Sequence, residues 1–498
     1  MSRTYDQFIS QASEITHLRS VLQGLSWDQE TVMPEQGATH RAAQVSTIAV
    51  LHHQRLTDPR FGELIADLER QPGQLDTWGK ASVREARRQF DKATKLPPTL
   101  VRDLAETTAL AYEAWVKARS EADFPGFAPW LKKIVALKRS EAECLREDGK
   151  TLYDALLDEY EPGMTVERLD VIFSEIQPRL TGLLARITSS PQPRPLPSGP
   201  FPVHLQESIG REILTSMGFN WKAGRLDTSP HPFCSGFSPQ DVRITTRYST
   251  TEVTKALFGT MHECGHALYE QGLPADFYGA PACDAISLGV HESQSRLWEN
   301  QVGRSLAFWE SWFPKLQRSF APHFDKFSIE DFVHSVNRVA PSLIRIEADE
   351  VTYGLHVILR YELEKALIDG ASEVDDLEAN WSQKMSDYLD VTPRNSAEGA
   401  LQDTHWSQGL IGYFPTYLLG NLYAAQLFAS VQREIPDLER SIARGELIPL
   451  REWLREKVHG HAKTLTADEL IERATGAPLT ATHFLEYLDG KFGRLYDL

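Results

Sequence analysis

The run His262-Glu263-Cys264-Gly265-His266 can do chemistry only if its stretch of chain is an α-helix. Residues four apart on a helix differ by about 40° around the axis, so both imidazoles leave one face and can grip one ion. Glu263 stands beside the first histidine without being obliged to ligate. Two imidazoles and a free carboxylate are the apparatus for polarising a water molecule and taking its proton. The flanks read as helix. Ser249-Thr250-Thr251-Glu252 has the form of a capping box, and Val253, Leu257, Met261, Cys264 and Leu268 make one apolar stripe. Gly272-Leu273-Pro274 ends it. The stripe centres roughly opposite His262 and His266, which argues for ligands over histidines merely packed in a core.

A catalytic zinc site takes three protein ligands and keeps one position open. The extended pattern HExxHxxGxxH is excluded, because Tyr269 and Gly272 occupy its Gly and His positions. A more distant carboxylate is expected instead, from residues 290–299, which read as a second helix packed on the first. Spacing leaves both Glu292 and Glu299 open, seven apart and on one face. Asp284 is a weaker rival, and Glu270 lies too far along the metal helix from His262.

Of 498 residues, 41% are hydrophobic, enough for a large core and for one to three domains by length. The net charge of −17, without a basic run, disfavours nucleic acid and anionic membrane as partners. Cys144, Cys234, Cys264 and Cys283 follow no disulfide spacing and read as reduced thiols. The first residues lack the apolar core of a signal peptide, so a cytoplasmic location is expected. Residues 406–432 carry no charge and are long enough to span a bilayer, but their glycines, Pro415, Asn421 and Gln426 favour a buried central helix after a glycine-rich loop.

Helical signals dominate, with a break at Leu96-Pro97-Pro98. Residues 191–202 hold six prolines and read as a surface loop. They separate an N-terminal helical part, 1–190, from a metal-bearing part, 203–498. One strand is convincing, in residues 241–248, where Val242, Ile244 and Tyr248 alternate with polar positions. It reads either as an ordinary half-exposed strand or as an edge strand that pairs with an extended peptide. Residues 342–368 read as a helix with Arg345, Asp349, Tyr353, His356 and Arg360 in one polar row, facing solvent or a wet groove. A guanidinium at the head of that row would suit a peptide's terminal carboxylate.

These residues bring the chain to a family. It resembles the carboxypeptidase Taq family of metallocarboxypeptidases in six motifs that occur in family order. They are His231-Pro232-Phe233, Asp241 to Thr245 (DxRxT), His262 to His266, His291-Glu292-Ser293-Gln294, Ile344 to Asp349 (I/VRxxAD) and Gly399 to Trp406 (GxxQDxHW). The resemblance implies His262, His266 and Glu292 as ligands of one zinc ion, with cobalt able to substitute, and Glu263 as general base. It implies a mainly α fold: one catalytic unit over 1–498 with a deep groove, the N-terminal part as a groove wall, and a small antiparallel sheet beside the metal helix. A homodimer is also implied. The substrates implied are peptides that lose single C-terminal residues with broad specificity; a zinc endo-oligopeptidase is the alternative. His405 and Tyr413, with Tyr417 as rival, are candidates to stabilise the oxyanion. Arg345, then Arg243, are candidates for the substrate carboxylate.

Overall fold

Proline and short polar caps set the helix boundaries. Asp76 accepts from the Gly79 amide at the start of helix Thr77–Lys95, and Pro97-Pro98 closes that helix and opens Pro98–Glu121. The computed structural model describes residues 3–498, which are mainly helical around one small sheet. Residues 191–202 form no regular structure between helices Val166–Thr188 and Val203–Met217; only Pro193 and Phe201 of this loop are buried.

The metal helix spans Val253–Gly272. The expected capping box does not form: Glu252 itself is the N-cap, and Ser249 Oγ, which accepts from the Glu252 amide at 3.1 Å, closes a turn ahead of the helix. Glu252 does not return the bond, because its carboxylate pairs with Lys255 at 2.7 Å.

The sheet is three-stranded, with β1 (Gly224–Thr228), β2 (Cys234–Ser238) and β3 (Asp241–Thr246) in the order β1-β3-β2. It is mixed: β3 runs antiparallel to β2 and parallel to β1. Of the two readings of this strand, the edge strand is excluded, because β3 is the central one. Both sides of β3 are taken by the sheet itself, so an extended peptide cannot add to it. Its partners were hard to read because Gly224, Arg225 and Asp227 in β1, and the small residues of β2, have low strand propensity. Thr260 Oγ1 donates to Thr246 Oγ1 at 2.8 Å and ties the metal helix to the end of β3.

A second correction concerns residues 342–368. The helix begins only at Thr352 and runs to Asp369, while Arg345–Glu347 forms a separate 3₁₀ turn. Asp349 is the cause. Its Oδ1 accepts from the amides of Val351 and Thr352, each at 3.0 Å, and starts a new helix there. The polar row is also not solvated, since Tyr353, His356 and Arg360 are buried.

Residues 406–432 fold as expected. A turn at His405–Gln408 and a glycine-bearing loop lead into helix Pro415–Glu434, which is buried along most of its length. No helix among the described residues is long and apolar enough to cross a membrane. One apolar core runs from Ala111 to Tyr496, and a smaller one joins Tyr5, Phe8 and Ile15 to Phe61 and Ile65.

Candidate active site

Helix Leu288–Arg296 faces the metal helix and continues as a π-turn over Leu297–Val302. Two glycines let it come close enough to supply a ligand. A Cβ at Gly265 would lie 2.5 Å from the Gln294 carbonyl oxygen, and one at Gly420 would lie 2.5 Å from Glu292 Cγ. The facing helix is thus held between the metal helix and helix Pro415–Glu434, with Glu292 aimed at the histidines.

His262, His266 and Glu292 offer donor atoms that all lie within 4.8 Å of one another. Glu292 Oε2 is 3.8 Å from His262 Nε2 and 3.5 Å from His266 Nε2. Tetrahedral ligands about 2.0–2.1 Å from an ion stand roughly 3.4 Å apart, so the set fits a small divalent ion with little movement. The tautomers fit as well. His262 Nδ1 is 2.9 Å from Glu299 Oε2, and His266 Nδ1 is 3.1 Å from the His291 carbonyl oxygen. Each Nδ1–H donates outward, which leaves each Nε2 lone pair free for the ion. Burial, reinforced by His291, pushes His266 down to about 3, so it is neutral as a ligand must be. Burial would raise Glu292, but Arg296 and His262 outweigh it and hold the carboxyl well below its usual range.

Glu263 is 7% exposed, and burial pushes its carboxyl up to about 7. The rival ligands are engaged elsewhere. Glu299 bonds to the outer nitrogen of His262, Asp284 pairs with Arg19 at 2.9 Å and Lys463 at 3.5 Å, and Glu270 holds His291 Nε2 at 2.9 Å.

A second polar cluster joins the I/VRxxAD and GxxQDxHW motifs. Asp403 Oδ1 accepts from Arg345 Nε at 3.0 Å and Nη2 at 2.8 Å, and Oδ2 accepts from Arg360 Nε at 2.6 Å. Arg345 Nη1 reaches the Tyr353 hydroxyl at 3.3 Å, and its guanidinium lies 4.9 Å from the Tyr417 ring. Gln402 Oε1 accepts from the Arg345 amide at 3.0 Å. His405 Nε2 is 3.2 Å from the Tyr417 hydroxyl, and the ring of Tyr413 packs on Tyr417 and Tyr160. Burial, with Arg345 and Arg360 close by, pushes His405 down to about 4, against the pull of Asp403.

Arg243 lies apart from this cluster. It spends its fork on Asp241 and rests over the rings of Trp27 and Phe237. Thr245 of the same motif is structural: its Oγ1 accepts from the Phe233 amide at 2.9 Å and meets Ser229 Oγ at 2.7 Å.

Spacing and motifs assign no role to Arg296 or Asp403, put Arg360 only in the polar row, and weigh Glu299 only as a ligand. Arg296 had a signal, since it stands four residues after Glu292 on one helix face. Asp403 and Arg360 are 43 residues apart and had none.

An ion held by two imidazoles and one carboxylate, with a free carboxylate beside it, is the working centre of a metallopeptidase. The family model described as carboxypeptidase Taq (M32) metallopeptidase matches residues 7–492, and the chain belongs to that family. It is 45% identical over 505 aligned positions to thermostable carboxypeptidase 1 of Thermus thermophilus, covering 99% of each chain. To carboxypeptidase 1 of Bacillus subtilis it is 37% identical over 497 positions, again 99% of each chain. The fold superposes on the family's carboxypeptidase from Deinococcus radiodurans with a TM-score of 0.97, at 39% identity over 100% of both chains. The protein is a metallocarboxypeptidase.

Proposed function

We propose that this enzyme removes single C-terminal amino acids from peptides with broad specificity, using zinc, with cobalt able to replace it. The observation that carries the reading is the buried Glu263 carboxylate beside an outward-locked pair of imidazoles and Glu292. Zinc held by His262, His266 and Glu292 would polarise the scissile carbonyl and lower the pKa of water from 15.7 toward about 7. Glu263 then takes the water's proton as the oxygen attacks, and delivers it to the departing amine nitrogen. His405, neutral because of its lowered pKa, and Tyr413 or Tyr417 are the donors for the oxyanion.

Arg345 is the first choice for the substrate carboxylate. Asp403 holds one edge of its fork, and Nη1 with the Tyr353 hydroxyl remains to receive an anion. Arg243 is the second choice. The N-terminal helices would wall the substrate groove within one catalytic unit. A cytoplasmic homodimer is proposed as well; four unpaired cysteines suit a reducing compartment.

Peptides with free and amidated C-termini, digested in parallel and read by mass spectrometry, test the exopeptidase reading. Arg345→Ala is expected to lower kcat/KM on free acids by roughly 10²-fold, about 3 kcal/mol, and Arg345→Lys to recover only part. Amidated peptides are expected to be poor substrates and indifferent to the change. Good cleavage of amides would make the enzyme an endo-oligopeptidase, and equal losses on both forms would pass the carboxylate to Arg243.

A further inference from the structure

The two oxygens of Glu292 have different surroundings. Oε2 faces His262 and His266 at 3.8 and 3.5 Å, and accepts from Ser295 Oγ at 3.2 Å. Oε1 points away and accepts from Arg296 Nε at 2.6 Å. The other arm of the same guanidinium, Nη1, is 3.3 Å from Glu299 Oε2, the oxygen that holds His262 Nδ1. Arg304 takes the remaining oxygen, Glu299 Oε1, at 3.2 Å. The Arg296 guanidinium lies 4.6 Å from the centre of the Tyr353 ring, and Arg296, Glu299 and Tyr353 together line a small cavity of about 170 Å³.

We propose that Arg296 is a positioning residue that restricts Glu292 to one donor oxygen and, through Glu299, fixes the ring of His262. The inference rests on the reading of Glu292 as third ligand. An unrestrained carboxylate beside a divalent ion can turn and bind through both oxygens, and the second oxygen would take the position that water and the substrate carbonyl need. Here that turn breaks a short charge-assisted bond in a buried place. The i, i+4 spacing of Glu292 and Arg296 puts the guanidinium on the same helix face as the carboxylate, and the π-turn that follows brings Glu299 within reach of its second arm. A lysine, with one nitrogen, cannot occupy the positions of both Nε and Nη1, so it would hold the two carboxylates less well.

The test uses the full-length chain with Arg296→Met and Arg296→Lys, zinc affinity by competition with a chelator, and the visible spectrum of the cobalt-loaded protein. Arg296→Met is expected to bind zinc roughly 10- to 100-fold more weakly. Its cobalt bands should weaken, as they do when a four-coordinate ion gains a fifth donor. kcat should fall with little change in KM, and Arg296→Lys should lie between the two. Unchanged zinc affinity with an unchanged cobalt spectrum would overturn the proposal, whatever happens to turnover. If circular dichroism shows Arg296→Met unfolded, Arg296→Lys decides by the same two readouts. Glu292→Ala keeps the underlying reading separate: it is expected to lose zinc, and if it kept zinc at full affinity the third ligand would be misassigned, independently of Arg296.

Discussion

An amide in place of the Glu263 carboxylate keeps its volume but has no lone pair basic enough to accept a proton. Glu263→Gln is therefore expected to hold zinc almost as well as the unmodified enzyme and to lose roughly 10²-fold or more in turnover. Elemental analysis and a hydrolysis assay on one preparation separate the two properties; retention of more than about a tenth of the activity would remove Glu263 from the base's role. Glu292 and Glu299 differ in what they touch. The first faces both Nε2 atoms, and the second holds the outer nitrogen of one ring. Glu299→Ala should weaken zinc binding roughly 10- to 100-fold yet still load at saturating metal, whereas Glu292→Ala should fail to load. Chelator competition on the pair checks this, and the reverse order would exchange their roles.

At the scale of elements, the site depends on three helices lying closer than ordinary side chains permit. Gly265 meets backbone atoms of Gln294 and Ser295, which have nowhere to move, and Gly420 meets the base of the Glu292 side chain. An added methyl at Gly420 must push Glu292 toward the histidines or part the helices. Gly420→Ala is expected to cost roughly 1–3 kcal/mol of stability and to weaken zinc binding as well. Thermal unfolding of the metal-free protein and zinc competition give the two numbers. An alanine variant with unchanged zinc affinity would show that the facing helix can shift without carrying its ligand.

At the scale of the molecule, two buried carboxylates join the N-terminal part to the metal-bearing part. Glu161 accepts from Ser287 Oγ, the Gly289 amide and the Tyr423 hydroxyl, and Glu364 accepts from the Tyr153 hydroxyl, Trp406 Nε1 and the Gly412 amide. Neither accepts from a cationic side chain in these bonds. Burial outweighs the donors and raises both from the ordinary 4.5 to about 7. Between those values the folded protein holds a proton that the unfolded chain has released. Each group's contribution is therefore complete below about pH 4.5 and declines as pH rises to about 7, by roughly 3 kcal/mol. Against Glu364→Gln, which cannot titrate, the unmodified chain should lose relative stability from pH 5 to pH 8. Urea midpoints of the two proteins at both pH values test this, and a constant difference would mean that Glu364 ionises in the fold as it does in the unfolded chain.

Local rules carried much of this protein. The helical period and the HExxH spacing placed His262, Glu263 and His266 on one helix, because four residues make nearly one turn whatever surrounds them. Proline placed the breaks at residues 96–98 and 191–202, since a ring that fixes φ and removes a donor acts without neighbours. The choice of Glu292 over Glu299 was beyond spacing: both lie on one face of the chain, and only the approach of the facing helix past Gly265 and Gly420 decides which reaches the Nε2 atoms. The same holds for β3, whose alternation left an ordinary half-exposed strand and an edge strand both open until β1 and β2, poor in strand formers, paired with it. It holds too for Arg345, read at the head of a helical row and found on a turn bound to Asp403, 58 residues away. Hydrogen bonds and ion pairs between distant segments form when the chain closes on itself, and nothing in the local pattern of either segment records its partner.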